Sequence, residues 1–203
     1  MRLSNIHILT GLFSWLIFIS GLYADQEVAG IQSGVWAMAK SPYIVRNDIR
    51  VPKGLVLKIE EGVIVRFAEN CQLAVEGSLI ARGTKGKPII FTSIFDTDFV
   101  RTAAAKNRSP QPSDWKGIEF LDDCDDYLTA LNHCIIRFSH WGIRCSNCYP
   151  LLSDIILTET KQNALKINNE GYPFEPGQRI SPIAPQLRAG LTPLPEPVLE
   201  TNL

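Results

Sequence analysis

The feature that most restricts the fold of this chain is an internal repeat of 20 to 25 residues. The segment Leu-Asn-His-Cys-Ile-Ile-Arg at 131–137 matches Leu-Leu-Ser-Asp-Ile-Ile-Leu at 151–157. A second short run follows each copy, and the matching residues Ile118, Ile143 and Leu165 are 25 and 22 positions apart. A repeat of this length is typical of a β-solenoid, in which each turn buries its inward side chains by stacking them on the same positions of its neighbours.

The repeat also predicts which residues lie on each other. We expect Ile135 to stack on Ile155 and His133 to occupy the position that Ser153 has in the next turn. The three residues of the second run should form an aliphatic ladder. A β-sandwich is the alternative, but its hairpins would show tight turns such as Asn-Gly or Asp-Gly, and neither dipeptide occurs in the sequence.

Short β-rich runs separated by Gly, Pro, Asn and Asp extend from 43 to 168, and no helical apolar period exceeds one turn. Two segments break this pattern. Asp96–Asp114 is rich in Asp, Ala, Asn, Ser and Pro and is predicted to be a loop that leaves one turn. Residues 169–203 contain seven prolines and are predicted to be an extended or disordered tail. Its apolar residues Tyr172, Phe174 and Ile180 are candidates to cover the last turn, to which Leu165 and Ile167 belong.

The first 24 residues have the layout of a secretory signal. One charge, Arg2, precedes an uncharged run that lasts to Ala24, and Asp25 restores polarity. The alternative is an uncleaved membrane anchor, because the run is nearly long enough to span a bilayer. We therefore divide the chain into a signal at 1–24, an N-terminal cap at 25–42, a parallel β-helix at 43–168 and a Pro-rich tail at 169–203.

The net charge of the chain is −1, from 20 Lys and Arg against 21 Asp and Glu. This balance gives no electrostatic surface of the kind that nucleic acid requires. A polysaccharide or a cell-envelope protein is the expected partner. A membrane is expected only if the N-terminal segment is retained.

Five cysteines, an odd number, lie after the signal, where an oxidising compartment would allow disulfides. They are Cys71, Cys124, Cys134, Cys145 and Cys148, and their pairing is left open. The Cys145-x-x-Cys148 pair allows a zinc or redox interpretation, with Cys124, Cys134, His133 and His140 as the nearby ligands. Buried thiols or one disulfide are favoured instead.

Several segments carry a family likeness, and they occur in a fixed order. They are Gly34-Val-Trp36, Ser41-Pro-Tyr-Ile-Val45, Val51-Pro-Lys-Gly-Leu-Val-Leu57, Ile59-Glu-Glu-Gly-Val63, Gly77-Ser-Leu-Ile-Ala-Arg-Gly-Thr84, Pro88-Ile-Ile-Phe-Thr-Ser93 and Asp114-Trp-Lys-Gly-Ile-Glu-Phe120. Over about Gly34 to Asn168 the chain resembles the N-terminal part of right-handed parallel β-helix (pectin-lyase-like) regions of secreted bacterial surface proteins. The resemblance implies a capping first turn that contains Trp36 and an aspartate-rich excursion at Asp96–Asp114. The chain departs from the family after Asp98, where Phe-Val-Arg replaces a sequence richer in Gly and Asp.

Four carboxylates surround Cys124, and they are Asp122, Asp123, Asp125 and Asp126. Oxygen ligands at this density suit a hard cation, so calcium is the candidate metal, and no other cofactor is expected. The alternative is a solvated turn between two strands. In a pectate-lyase-like enzyme this calcium would act with a base such as Arg137 or Arg144, but no motif identifies a base.

Other catalytic arrangements have less support. The carboxylate pair of a pectin hydrolase cannot be assigned from spacing. Two histidines, His133 and His140, lie after the signal, and no Gly-x-Ser-x-Gly motif occurs. A surface position at a turn is the expected role of His140.

Five residues offer ring surface of the kind that stacks on sugars, and they are Trp115, Tyr127, His140, Trp141 and Tyr149. The alternative is that these rings pack neighbouring loops. The sequence therefore predicts an all-β chain, a right-handed parallel β-helix of about six coils with an N-terminal cap and a Pro-rich C-terminal tail. Its expected role is non-catalytic, exported and structural or binding, with glycan as a candidate ligand. A calcium-dependent carbohydrate-active enzyme, or a fragment of one, and a membrane-tethered surface protein are the alternatives.

Overall fold

The computed structural model describes residues 25–99, 108–162 and 164–168, together with the backbone of 170–172, 179–180 and 199–200. These residues form an all-β, parallel solenoid of about six turns, which confirms the predicted fold. A single turn of 3-10 helix at Met38–Lys40 is the helical element in this part of the chain. No helix there combines the length and the apolar character that crossing a membrane requires.

Strands are short because each turn of the solenoid bends at three corners. In chain order they are β1 (Gln26–Ile31), β2 (Gly34–Trp36), β3 (Tyr43–Val51), β4 (Val56–Ile59), β5 (Ile64–Phe67), β6 (Gln72–Val75), β7 (Ser78–Arg82), β8 (Ile89–Ser93), β9 (Gly117–Phe120), β10 (Ala130–Asn132), β11 (Cys134–Arg137), β12 (Ile143–Cys145), β13 (Leu151–Ser153), β14 (Ile155–Thr158), β15 (Leu165–Ile167), β16 (Glu170–Tyr172), β17 (Arg179–Ile180) and β18 (Leu199–Glu200).

Stacking of successive turns produces three faces. Face A contains the first half of β3 followed by β5, β8, β11 and β14, and face B contains the second half of β3 followed by β6, β9, β12 and β15. Face C contains β2, β4, β7, β10 and β13. Strand β1 pairs in parallel with both halves of β3. Faces A and B therefore belong to one continuous sheet, and face C is a second sheet.

The aliphatic ladder that the repeat predicts is present on face B. Ile143 pairs with Ile118 on one side and with Leu165 on the other, and all three side chains are fully buried. Leu73 and Ile49 continue the ladder toward the N-terminus. Each inward side chain covers the one before it, which is how a solenoid buries a core with strands of three to five residues.

The predicted register is wrong by one residue on face A and on face C. The observed pairs are Ile135 with Ile156, Ile136 with Leu157 and Asn132 with Ser153. Ile135 therefore does not stack on Ile155, and His133 does not share the position of Ser153. The physical reason is the corner, where His133 (φ 48°) and Asp154 (φ 54°) both adopt the left-handed conformation. This shared corner sets the repeat between these two turns at 21 residues, with Ile136 and Leu157 inward.

Aromatic side chains fill the core where successive turns offer room. Trp36 stacks on Tyr43, with ring centroids 4.5 Å apart, and both side chains are buried. Trp115 stacks on Phe67 at 4.0 Å. Trp36, which the family resemblance assigns to a capping turn, thus belongs to the core at the N-terminal end of the solenoid. The segment 25–42, expected as a cap, contains β1 and β2, which pair with the strands that follow.

The chain reverses direction after the last turn. Strand β16 pairs antiparallel with β15, β17 pairs antiparallel with β14, and β18 pairs antiparallel with β17. The backbone of the tail therefore satisfies ladder groups at the end of both face A and face B. The predicted role of the side chains of Tyr172, Phe174 and Ile180 lies outside the described residues, as do the predicted signal at 1–24, the middle of the excursion at 100–107 and the greater part of the tail.

Candidate functional site

The acidic cluster around Cys124 lies at the corner between β9 and β10. Asp122 accepts a hydrogen bond from the side-chain amide of Asn147, one turn further along the solenoid. Asp123 forms an ion pair with Lys53, with 2.5 Å between Oδ1 and Nζ. These two neighbouring carboxylates therefore point to partners on opposite sides of their own turn.

The other two carboxylates accept hydrogen bonds from backbone amides. Asp125 Oδ1 accepts hydrogen bonds from the amides of Tyr127 (2.9 Å) and Leu128 (3.0 Å), which closes a local turn. Asp126 is buried and accepts a hydrogen bond of 2.7 Å from the amide of Tyr149. Among the described residues the four carboxylates do not converge on a common point. The single calcium site predicted from these aspartates is not assembled in this structure, because each oxygen set is turned toward a different structural partner.

The side chains of Cys124, Asp126 and Cys148 do lie within 4.8 Å of one another. The two sulfur atoms, however, are bonded to each other in a disulfide that joins two successive turns. A disulfide sulfur is not a thiolate and does not act as a zinc ligand. The zinc interpretation of Cys145-x-x-Cys148 is therefore wrong, and the favoured alternative of one disulfide with buried thiols is confirmed.

The three remaining cysteines, Cys71, Cys134 and Cys145, are buried and unbonded. Burial raises the pKa of each of these thiols, because the charged thiolate is poorly solvated in the core. For Cys145 the nearby Asp126 carboxylate raises the pKa further. Thiols of this kind are chemically inert fillers of the core.

The ends of the excursion are fixed to face A by charged side chains. Arg137 Nη2 lies 2.9 Å from Asp98 Oδ2, and its Nε lies 3.5 Å from Asp96 Oδ2. At the other end, the buried Asp114 carboxylate accepts hydrogen bonds of 2.6 Å from both Ser93 Oγ and Arg108 Nη2. The aspartates at 96, 98 and 114 therefore anchor the loop to the solenoid. Arg137 is engaged with them and is not presented as a base.

Trp115 is wrong as a sugar-stacking residue. Its side chain is 0% exposed, lies on Phe67 and donates a hydrogen bond of 2.9 Å from Nε1 to the carbonyl of Arg137. Tyr149 is half-buried against the core, and its hydroxyl oxygen accepts a hydrogen bond of 3.0 Å from Asn168 Nδ2. Both rings therefore pack the structure, as the alternative interpretation has it.

His140 and Trp141 form an edge-to-face pair at the corner between faces A and B, with centroids 5.4 Å apart. The guanidinium of Arg144 lies 4.2 Å from the centre of the Trp141 ring and covers one of its faces. His140 Nδ1 is hydrogen-bonded to Ser113 Oγ at 2.7 Å. Burial lowers the pKa of His140, and the positive charges of Lys161 and Arg144 lower it further.

Of the five predicted ring residues, Tyr127 is the one whose side chain is exposed to solvent, with 83% of its surface accessible. It forms one wall of a cleft of about 820 Å³ on face C, which we call the face C cleft. The cleft is lined by Met38, Lys58, Ile59, Glu60, Glu61, Ile80, Arg82, Lys87, Tyr127 and Leu128. Strands β4 and β7 form its floor, and loops from the first and fourth turns form its walls.

Some of the charged side chains in the face C cleft form ion pairs and others do not. Lys87 pairs with Glu61 at 2.9 Å, and Glu60 accepts a hydrogen bond of 2.9 Å from the amide of Met38. Lys58 and Arg82 make no ion pair within the described part of the chain. The three cations and two anions that line the cleft leave it one net positive charge beside an exposed ring.

Sequence reasoning identified Tyr127 and missed the rest of this cleft. The signal was present in β4 and β7, where Lys58 and Ile80 are outward residues in register with each other. What the repeat could not supply is the position of Met38 and Leu128, which reach the cleft from corners of different length.

No protein-family model matches this chain, and no solved structure matches it. The chain is 37% identical over 109 residues to Protein bark beetle of Drosophila melanogaster. The alignment covers 54% of this chain and 3% of that protein, so the matched residues span a small part of that protein's length.

Proposed function

We propose that this chain is an exported, non-catalytic β-solenoid module that recognises a ligand through the face C cleft. The observation that carries the proposal is the cleft itself, which combines about 820 Å³ of open volume with a ring that is 83% exposed. A concave site with apolar walls and a few polar groups is the usual form of a binding site. An exposed apolar surface of this kind carries a cost in water that a ligand removes.

Export is supported by two independent features. The first 24 residues have the composition of a secretory signal, and Cys124 is joined to Cys148 in a disulfide. Disulfides persist in oxidising compartments and are rare in the cytosol. The pectin-lyase-like assignment rests on the ordered segments between Gly34 and Asn168, and the similarity to an animal protein extends the proposal beyond bacterial surfaces.

A non-catalytic role is supported by the state of the groups that would do chemistry. The Ser113–His140 pair has the separation of a nucleophile and its base, 2.7 Å. A base must become an imidazolium when it takes the proton, and burial together with Lys161 and Arg144 disfavours that cation. The acidic side chains around Cys124 are likewise occupied by structural partners.

Two measurements test the proposal. N-terminal sequencing of the chain recovered from the medium of a secreting host should give a start at Asp25, whereas a chain retained in the membrane with Met1 intact would support the anchor instead. Ligand binding is tested by ¹H–¹⁵N NMR of the exported chain against a panel of peptides and acidic and neutral oligosaccharides. Shifts should cluster at residues of the face C cleft and disappear in Tyr127→Ala.

Glycan binding is a second candidate for this cleft, because the exposed face of Tyr127 is suited to stacking on a sugar ring. A matched control is Ile31→Ala, since Ile31 is 70% exposed and lies on β1, outside the cleft. Glycan binding predicts that Tyr127→Ala loses oligosaccharide affinity and that Ile31→Ala keeps it. Release of an unsaturated, ultraviolet-absorbing product from polygalacturonate would instead establish the lyase alternative.

A further inference from the structure

The side chains of the face C cleft point to a more specific occupant, an inference that rests on the binding role proposed above. We propose that the cleft docks an extended segment of a partner protein that carries acidic side chains next to large apolar ones. The walls of the cleft, its charge and its polar groups each favour such a segment.

The walls are made by exposed apolar side chains on two sides. Met38 is 48% exposed, Leu128 49% and Tyr127 83%, and Ile80 lies half-buried between them on the floor. Met and Tyr are enriched in the centres of protein interfaces, where they fill and are filled by apolar side chains. These walls fit a Leu or Phe side chain of a partner.

The charge of the cleft selects an anion. Its lining carries three cations against Glu60 and Glu61, and Lys87 already forms an ion pair with Glu61. Lys58 and Arg82 stand on neighbouring strands of the floor and have no acidic partner among the described residues. A carboxylate of the occupant would compensate them, which gives complementarity of the kind that steers and selects partners.

The polar groups of the cleft suit a carboxylate better than a sugar. Apart from the hydroxyl of Tyr127 they are charged side chains, and among the described residues that line the cleft there is no Asn, Gln, Ser or Thr. Each sugar hydroxyl that enters a cleft loses its water and needs a replacement hydrogen bond, and an unpaired hydroxyl is costly. Leu and Phe side chains carry no such requirement, so the same walls favour an acidic, apolar peptide.

The test is a selection of a random twelve-residue peptide library, displayed on phage, against the full exported chain. Selected peptides should combine Asp or Glu with Leu, Phe or Tyr. A synthetic, fluorescein-labelled copy of the best peptide, measured by anisotropy, should lose about tenfold or more in affinity on Tyr127→Ser. The double variant Lys58→Glu, Arg82→Glu should lose a similar factor and, in a repeated selection, enrich basic peptides.

Two controls keep the charge and surface of the chain comparable outside the cleft. Ile31→Ser removes an exposed apolar side chain from β1, and Lys85→Glu reverses an exposed charge on the turn after β7. Both should bind the selected peptide as the unsubstituted chain does. Because the substituted side chains are exposed or partly exposed, the melting temperature should be unchanged in every variant.

The outcomes separate this inference from the proposed function. If oligosaccharides bind in a Tyr127-dependent way and no peptide consensus emerges, the cleft is a glycan site and the inference fails alone. If the peptides selected on the Lys58→Glu, Arg82→Glu variant have the same acidic consensus as those selected on the unsubstituted chain, the inference fails as well. A dimer in sedimentation that Tyr127→Ser dissociates would replace the partner by a second copy of this chain. If neither peptide nor glycan shifts residues of the cleft, the proposed function fails too.

Discussion

Cys124 and Cys148 are bonded to each other across one turn of the solenoid, with their Cα atoms 6.0 Å apart. The first lies at the corner after β9 and the second at the corner after β12, so the bond ties two equivalent corners of successive turns. The buried carboxylate of Asp126 accepts a hydrogen bond from the amide of Tyr149, and this bond connects the same two corners.

Removal of this disulfide should destabilise the fold by about 3 kcal/mol, because the closed loop of 24 residues no longer limits the entropy of the unfolded chain. The double variant Cys124→Ala, Cys148→Ala should show this loss in urea unfolding. The unsubstituted chain should lose a similar amount in reductant, whereas the double variant should be insensitive to it. Equal stability of the two chains without reductant would contradict the prediction.

Asp114→Asn should cost about 2 to 3 kcal/mol in free energy of unfolding, since it weakens the buried, charge-assisted hydrogen bonds from Ser93 and Arg108. Glu69→Gln is the matched control. Glu69 also pairs with Arg108, but its side chain is 60% exposed, and an exposed pair contributes little. Urea unfolding of both variants checks the difference, and equal losses would show that burial is not what matters.

Gly117→Ala should be strongly destabilising, by about 3 kcal/mol or more. The residue has φ +132°, and an added Cβ would lie 2.0 Å from the carbonyl oxygen of Trp141 on the next turn. Gly86→Ala is the control, because a Cβ there meets no atom within 4 Å. Thermal unfolding should leave the control within a degree or two of the unsubstituted chain.

His140 should titrate below its ordinary value of about 6.5. Burial is the largest cause of the lowered pKa, followed by Lys161 and Arg144. A lowered pKa means that the folded chain binds the proton less readily than the unfolded chain, so the folded chain loses stability as pH falls below about 6.5.

NMR titration of the imidazole checks this prediction. Lys161→Gln should move the midpoint upward, and Lys85→Gln, a change at a distant turn, should leave it in place. The free energy of unfolding, measured in urea, should fall less between neutral and mildly acidic pH in His140→Asn than in the unsubstituted chain. A midpoint at or above the ordinary value would contradict the burial argument.

The sequence was sufficient for the fold because a ladder such as Ile118, Ile143 and Leu165 repeats one buried position in successive turns. It was not sufficient for the register on face A. Each of the two copies there contains two consecutive isoleucines, so a slip of one residue leaves the match almost as good. The left-handed corner at His133 and Asp154 decides the register. His and Asp are enriched in this conformation, but they also occur widely outside it, so the residue types alone do not mark the corner.

The candidate sites show the same limit. Four aspartates close in sequence predict a cation site, but at a corner between turns successive side chains point toward different neighbours. Trp115 shows the limit for rings, since an aromatic residue beside a strand is equally compatible with a core position. The face C cleft depends on Met38 and Leu128, which are 90 positions apart and meet only through the stacking of turns.

Strand β3 runs without interruption from face A to face B, and its nine residues pair with β5 at one end and β6 at the other. A displacement of one residue in this strand would turn the inward side chains of two faces outward together, whereas the same error in a later strand affects one face. This strand therefore acts as the reference from which the following turns are counted. The ambiguous isoleucine pairs lie three and four turns later on face A, where the corners at His133 and Asp154 fix the alignment of strands whose stacking begins at β3.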